Sequence, residues 1–275
     1  AMKYRNMIRL ILYDIRYFFR QNRWKWLFAF MIHVFLCIRT FHSILFYAGS
    51  SDLLSALWQT MGGAREYLLS SDSSFQLPAY WFLFHIYLFF LIGFYPAGEL
   101  YSGNGQALVR TRTRAMWLIS KCISVVVNIV LYYGCFLLTM LIGNLVCGGT
   151  VIPRGGIIGL AGIRVAGKSV TELLTAFIFL PVCVSTALGV MQVVLSLFVG
   201  PVLSFMLNIA YMTASVFWMK PFFIGNYSML YRQSWVSGNT NLSVTGGILR
   251  CLVLASLSFA VGMLLFQKKD ILPES

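Results

Sequence analysis

The sequence predicts an all-α integral membrane protein of six transmembrane helices, with an interfacial amphipathic helix ahead of the first and a cytosolic coupling helix between the second and third. Three observations predict it. Hydrophobic residues make up 59% of the 275 and charged residues only 11%, with a mean hydropathy of +0.79; an ordinary soluble domain carries about 25% charged residues. Apolar runs long enough to cross a bilayer, which takes ~20 residues at ~1.5 Å each, recur along the chain. Between two of them lies a short basic segment, ELYSGNGQALVRTRTRAMWLISK at 99–121, and a basic loop that short faces the cytosol.

Residues 1–25 have helical periodicity. Arg5, Arg9, Arg16, Arg20 and Arg23 share one stripe, and Met7, Ile8, Ile11, Ile15, Phe18 and Phe19 occupy much of the rest. Such a helix lies in the interface plane, with guanidinium groups among lipid phosphates. No small-residue cleavage site follows a compact apolar core, so it is not read as a signal peptide. The first span, 26–48, contains His33, Arg39 and His42. An arginine that deep is costly in lipid, so Arg39 either faces a protein interior, wet cavity or partner subunit, or snorkels to an interface.

Residues 49–78 form an outer connection with a short amphipathic piece at 53–61 and a break at Gly62-Gly63; Asp52, Glu66 and Asp72 face a single basic residue, Arg65. The second span, 79–98, is rich in aromatics and holds His85 and Phe89, a composition compatible with an amphipathic cargo. The cytosolic coupling segment, 99–117, follows, then the third span at 118–146. The next segment contains GIRVAGKS at 162–169, which fits the GxxxxGK[ST] phosphate-loop pattern. That pattern works where a strand feeds it and a helix leaves it in a soluble α/β domain, and neither is expected here.

The apolar stretch 173–219 supplies spans four and five, 173–197 and 202–219, with a reversal at Gly200-Pro201 and a kink at Pro181. Gln192 and Asn208 are lone polar groups within them, suited to interhelical hydrogen bonds. Residues 220–247 read as a loop whose Tyr and Trp dip into the headgroup region, and 248–266 is the sixth span. Asn226 and Asn241 fit the N-x-[ST] pattern. The whole chain reads as one transmembrane domain, 1–275, with both termini cytoplasmic. That orientation puts thirteen Lys and Arg inside against six outside, with Arg154, Arg164 and Lys168 the misfit on an outer loop.

The net charge of +13 sits beside spans, where anionic headgroups are the nearer counter-charge. Membrane lipid, and no nucleic acid, is the expected partner. The six cysteines are scattered singly in apolar segments, without metal-ligand spacing. No catalytic constellation is visible, so the chain is not read as an enzyme, and paired ionisable groups at membrane depth are scarce. If it moves something, another chain supplies the energy.

The order of these parts resembles the permease subunits of type-2 ATP-binding-cassette exporters of bacteria. Glu99, Gly105, Leu108, Arg112 or Arg114, and Lys121 carry the likeness; the usual Pro-x-x-Arg of the loop stands here as Thr-Arg-Thr-Arg. The resemblance implies a multi-pass permease in the bacterial plasma membrane, paired with a second permease chain as homodimer or heterodimer. It implies that cytosolic ATPase subunits bind ATP and Mg, this chain binding no cofactor or metal. The coupling set is Glu99, Gly103, Gly105, Leu108, Arg110, Arg112, Arg114 and Lys121. A cargo path or subunit interface would use Arg39, His85, Phe89 and Asn208. The cargo class is an antimicrobial peptide, a lipid-like molecule or a drug. The alternatives are a non-transport immunity or sensor subunit, and an ion-coupled carrier using Arg39, His33, His42 and His85.

Overall fold

Polar and glycine residues punctuate the chain where the apolar runs end, and the helices stop and start at them. The computed structural model describes residues 2–66, 77–95, 113–153, 157–158, 163–165, 167–238 and 240–268. α1 (Met2–Gln21) and α2 (Arg23–Ala48) meet at Asn22, whose side-chain amide donates to the Phe18 carbonyl at 3.1 Å. Gly49 ends α2 in the left-handed region (φ 67°), its N–H bonded to the Leu45 carbonyl at 3.1 Å. The amphipathic piece predicted at 53–61 is α3 (Leu53–Met61). Its cap is Asp52, whose carboxylate accepts from both the N–H and the hydroxyl of Ser55 at 2.7 Å.

α4 (Ala79–Gly93) and α5 (Arg114–Val146) follow, the latter capped by the Thr113 hydroxyl. A two-stranded antiparallel hairpin, β1 (Ile157–Ile158) with β2 (Ile163–Arg164), then sets Arg164 opposite Ile157. α6 (Val170–Leu174) opens on a capping box. Ser169 Oγ accepts from the Glu172 N–H, and the Glu172 carboxylate accepts from the Ser169 N–H. It continues through a π turn, Thr175–Phe179, into α7 (Leu180–Val199). Pro181 supplies the reason: it has no N–H for the ladder, and the preceding N–H, of Leu180, reaches five residues back to Thr175. The predicted kink is thus a wide turn that leaves 170–199 one continuous helix.

Gly200 (φ 85°) and Pro201 reverse the chain into α8 (Pro201–Phe217). The segment read as a headgroup loop folds inward instead. It forms 3-10 turns at Ile224–Ser228 and Leu230–Arg232 and a short α9 (Ser234–Ser237), and residues 224–230 are all buried. Its aromatics have protein to pack on: Trp58 of α3 meets Phe177, Tyr231 and Trp235 at centroid distances of 5.0 to 6.0 Å. α10 (Val244–Lys268) closes the fold.

The protein is all-α, and four helices are long and apolar enough to cross a membrane: Arg23–Ala48, Arg114–Val146, Val170–Val199 and Val244–Gln267. Ala79–Gly93 and Pro201–Phe217 are shorter apolar helices. α7 is the hub, packing on α4, α5, α8 and α10. Small residues permit that closeness: Gly189 faces Ile129 and Ile92, and Gly262 of α10 faces Val194.

Gly63 tests the packing of α3 against the inward fold. It has φ 72°, and a Cβ there would run into the Met229 side chain. Gly63→Ala combines backbone strain with overpacking, each costing about 1–3 kcal/mol. Gly49→Ala, at φ 67° in open space, carries the strain alone. Thermal unfolding in detergent should show the larger loss of midpoint for Gly63→Ala.

Candidate functional site

Asp14 lies on the side of α1 away from its arginines, and α1 packs against α5. The carboxylate is 1% exposed and its partner, Lys121, 0%. Lys121 Nζ donates to Asp14 Oδ1 at 2.8 Å, and Ser120 Oγ donates to Oδ2 at 2.5 Å. Lys121 also donates to the Tyr95 hydroxyl at 2.9 Å, and Tyr95 donates to the Asp14 backbone carbonyl at 3.2 Å. The ammonium lies 4.6 Å from the Tyr95 ring centre and 5.4 Å from that of Trp117. Desolvating both charges is costly, and the cost is offset because each charged atom is paired and hydrogen-bonded. One knot therefore joins α1, the residue that follows α4, and the second turn of α5.

Arg114 extends the knot to α10. It donates to the carbonyls of Phe266 and Gln267, both at 3.1 Å. The last carbonyls of a helix have no intrahelical partner, and a cation there also meets the negative end of the helix dipole. Trp117 stacks on Phe266 at 5.3 Å. Tyr95 at the end of α4 and the first turns of α5 are thus fastened to two other helices.

Of the coupling set read from sequence, the structure describes Arg114 and Lys121, and both bind other helices of this chain. Lys121 is sealed inside and holds a stem, rather than offering its charge to a docking surface. Glu99, Gly103, Gly105, Leu108, Arg110 and Arg112 lie outside the described residues.

The candidate cargo set divides. Arg39 is exposed on α2 beside Ile38 and His42, whereas His85, Phe89 and Asn208 are buried. His85 Nδ1 is 2.8 Å from the Trp81 carbonyl, and Nε2 is 3.4 Å from the Tyr133 hydroxyl, itself 2.9 Å from Ser185 Oγ. The Phe89 carbonyl accepts from Gln192 at 3.1 Å, and Gln192 accepts from Asn208 at 2.9 Å. These bonds stitch α4, α5, α7 and α8 together. Among the carrier residues, His33 is buried against Phe84, Tyr132 and Phe136, and His42 is exposed.

At the other end of the bundle, sequence reasoning missed Arg232, which is fully buried. Its Nε donates to the Ala64 carbonyl at 2.8 Å. One terminal nitrogen serves the Ser215 carbonyl and Asn226 Oδ1, and the other the carbonyls of Arg65 at 3.2 Å and Val216 at 2.5 Å. All five donors of the guanidinium are used, every one on a neutral acceptor. Burial pulls its pKa down to about 10, with Glu66 acting the other way, so it stays charged at neutral pH. Ser215 and Val216 belong to the last turn of α8, whose free carbonyls it caps. Asn226 is therefore occupied and buried, which removes it as a glycosylation acceptor.

The GIRVAGKS stretch supplies β2, a turn at Gly167 and the cap of α6; the Ser169 hydroxyl is spent on the Glu172 N–H. No group of three metal-ligating side chains occurs among the described residues.

A family described as "Protein of unknown function (DUF2705)" matches residues 54–272. The chain belongs to that family. No curated protein and no solved structure matches it. The DUF2705 match takes in Arg114, Lys121 and Arg232, while Asp14 and Arg39 precede it.

One sequence signal points to the buried pair. Asp14 is the lone acid on the apolar face of α1, and Lys121 the lone cation inside the third apolar run. Removing one partner leaves the other charge buried and uncompensated, at a cost of about 3–5 kcal/mol. Asp14→Asn and Lys121→Met should each lower the unfolding midpoint in detergent strongly. The double variant should be less destabilised than the two single losses added together. Strict additivity would show that the pair is not coupled.

Proposed function

We propose that the protein is the membrane-spanning permease subunit of an ATP-binding-cassette exporter, with the basic coupling segment 99–117 gripped by a separate cytosolic ATPase. One observation carries the reading beyond the sequence resemblance. The α4 side is fixed through Tyr95 to Asp14 and Lys121, and the α5 side through Lys121 to Asp14 and Arg114 to Phe266. A force applied to 99–117 would reach α1, α4, α5 and α10 together. That is the mechanical requirement of a lever driven from outside the chain.

On this reading the chain crosses the membrane six times, α4 and α8 being the shorter crossings, with the clamped end cytoplasmic in a bacterial plasma membrane. Arg39 supports a second permease chain. It is exposed on α2 among Phe35, Ile38 and Phe46, nine residues or ~13 Å from the helix end. A charge there is costly against lipid and is relieved by a protein partner. The cargo class is hydrophobic or amphipathic: a peptide, lipid-like molecule or drug. The ion-coupled alternative draws on His33, His42, His85 and Arg39, which the structure divides between interior and exterior.

Co-expression with a cytosolic ATP-binding-cassette ATPase subunit provides the test. The wild-type chain should co-purify with that subunit, and Arg110→Glu/Arg112→Glu should lose the association while keeping its unfolding midpoint. Lys121→Met should keep association but lower cargo-stimulated ATP hydrolysis, because it loosens the stem and leaves the grip intact. Retention of the ATPase by Arg110→Glu/Arg112→Glu would remove 99–117 as the contact.

A further inference from the structure

An apolar slot of about 350 Å³ opens at the end of the bundle away from Asp14–Lys121. It is walled by Leu57 of α3, Leu137 and Leu141 of α5, Ile152, and Leu173 and Phe177 of the 170–199 helix, and every lining side chain is apolar. Its volume falls in the range of small-ligand sites, ~300–1,000 Å³. Leu137 is sixteen residues beyond Lys121, or ~24 Å along α5. The slot therefore sits in the last turns of one long apolar helix and the first turns of another.

The rim is basic. Lys168 precedes the slot residue Val170 by two positions, held by a turn in which its N–H donates to the Val165 carbonyl at 3.1 Å with Gly167 at φ 87°. Arg164 ends β2, and the hairpin is anchored by buried Ile158 and Val165. Both cations are exposed, and among the described residues neither is in an ion pair. The N–H groups of Val170 and Thr171, in the first turn of the helix, have no intrahelical acceptor. Glu172 is the opposing charge, but its carboxylate is bonded to the Ser169 N–H. The rim thus offers Lys168 and the positive end of a helix running from Val170 to Val199, with Arg164 on the adjoining hairpin, whose first strand packs on α3.

We propose that this end of the protein holds an anionic phospholipid, its acyl chain in the slot and its phosphate against Lys168 and Arg164. Charge complementarity selects the occupant: the rim repels a cationic peptide and attracts a phosphate, and the slot beneath accepts only hydrocarbon. The site gives a role to the basic outer segment that the charge count leaves unexplained. It gives the same role to the phosphate-loop letters, which here border a slot for hydrocarbon and no nucleotide fold. The inference requires only a membrane-embedded chain and is independent of the permease reading.

Native mass spectrometry of the purified full chain with equimolar dioleoyl-phosphatidylglycerol and dioleoyl-phosphatidylcholine tests it. The wild type should retain the anionic lipid preferentially, by roughly five-fold per basic residue near the phosphate. Arg164→Ser/Lys168→Ser should bring the two lipids to near-equal retention with an unchanged lipid-free unfolding midpoint, since both side chains are exposed. Leu141→Trp, which fills the slot, should lower retention of both lipids. No preference in the wild type, or a preference that survives Arg164→Ser/Lys168→Ser, would overturn the proposal. So would displacement of the lipid by millimolar inorganic phosphate, which would make the site one for a free anion.

Discussion

A carboxylate and an ammonium sealed together within an apolar bundle constrain everything near them. Taking both charges out of water carries a penalty of several kcal/mol per ion, and close geometry with further hydrogen bonds offsets it. Asp14 and Lys121 gain these from Ser120 and Tyr95, with two aromatic rings beside the ammonium. The consequence is positional. An amphipathic helix with four arginines on one side would otherwise float in the headgroup plane, free to slide and rotate. With Asp14 buried, α1 has one rotation and one height, and its exposed arginines Arg9, Arg16 and Arg20 are aimed outward from a fixed base.

The far end is held by different means. Among the described residues no carboxylate forms an ion pair with Arg232; it is buried on four carbonyls and one side-chain amide drawn from three separate chain segments. A guanidinium suits this because its planar fork presents five donors in fixed directions, which a lysine cannot match. By capping α8 and gathering residues 64–65 and 226, it turns what would be a loose outer loop into a folded cap over α3 and the π turn. One end of the protein is fastened by opposite charges, the other by saturation of a single charge with dipoles.

Much of the helix layout was legible in the sequence, because it depends on local rules. Apolar length marks the long helices, Gly200-Pro201 the reversal, and Gly62-Gly63 the end of α3, whereas Asp52, read as one of three acids of the connection, caps its start. Pro181 marked a distortion, although its form as a π turn depends on how the next turn finds donors. The two clamps were not legible as clamps. Lys121 joins Asp14 across 107 positions, and Arg232 reaches Ala64 across 168. Periodicity reports which face is apolar, not which distant segment will cover it. Arg232 also sits among Tyr, Gln, Ser and Trp, a composition that reads as a wet loop. The packing of Trp58 against Tyr231 and Trp235, together with the bonds of Arg232, makes the segment an interior.

These two fastenings give α5 a distinctive place. It runs 33 residues, ~50 Å, without a proline, and so is longer than the ~30 Å hydrocarbon thickness. Its first two turns carry the bonds to α1, Tyr95 and α10. Its last turn carries Asn144, whose amide donates to the Thr150 carbonyl at 3.1 Å, and Thr150 in turn pairs with Ser51 and Leu53 at the start of α3. The neighbouring 170–199 helix is interrupted by Pro181 and its π turn, where an i to i−4 ladder is already broken and bending costs less. A displacement imposed at either end of the bundle is therefore carried along α5 as a stiff rod and absorbed in the 170–199 helix. The distribution of one proline and two buried cations decides which helix transmits motion and which one yields.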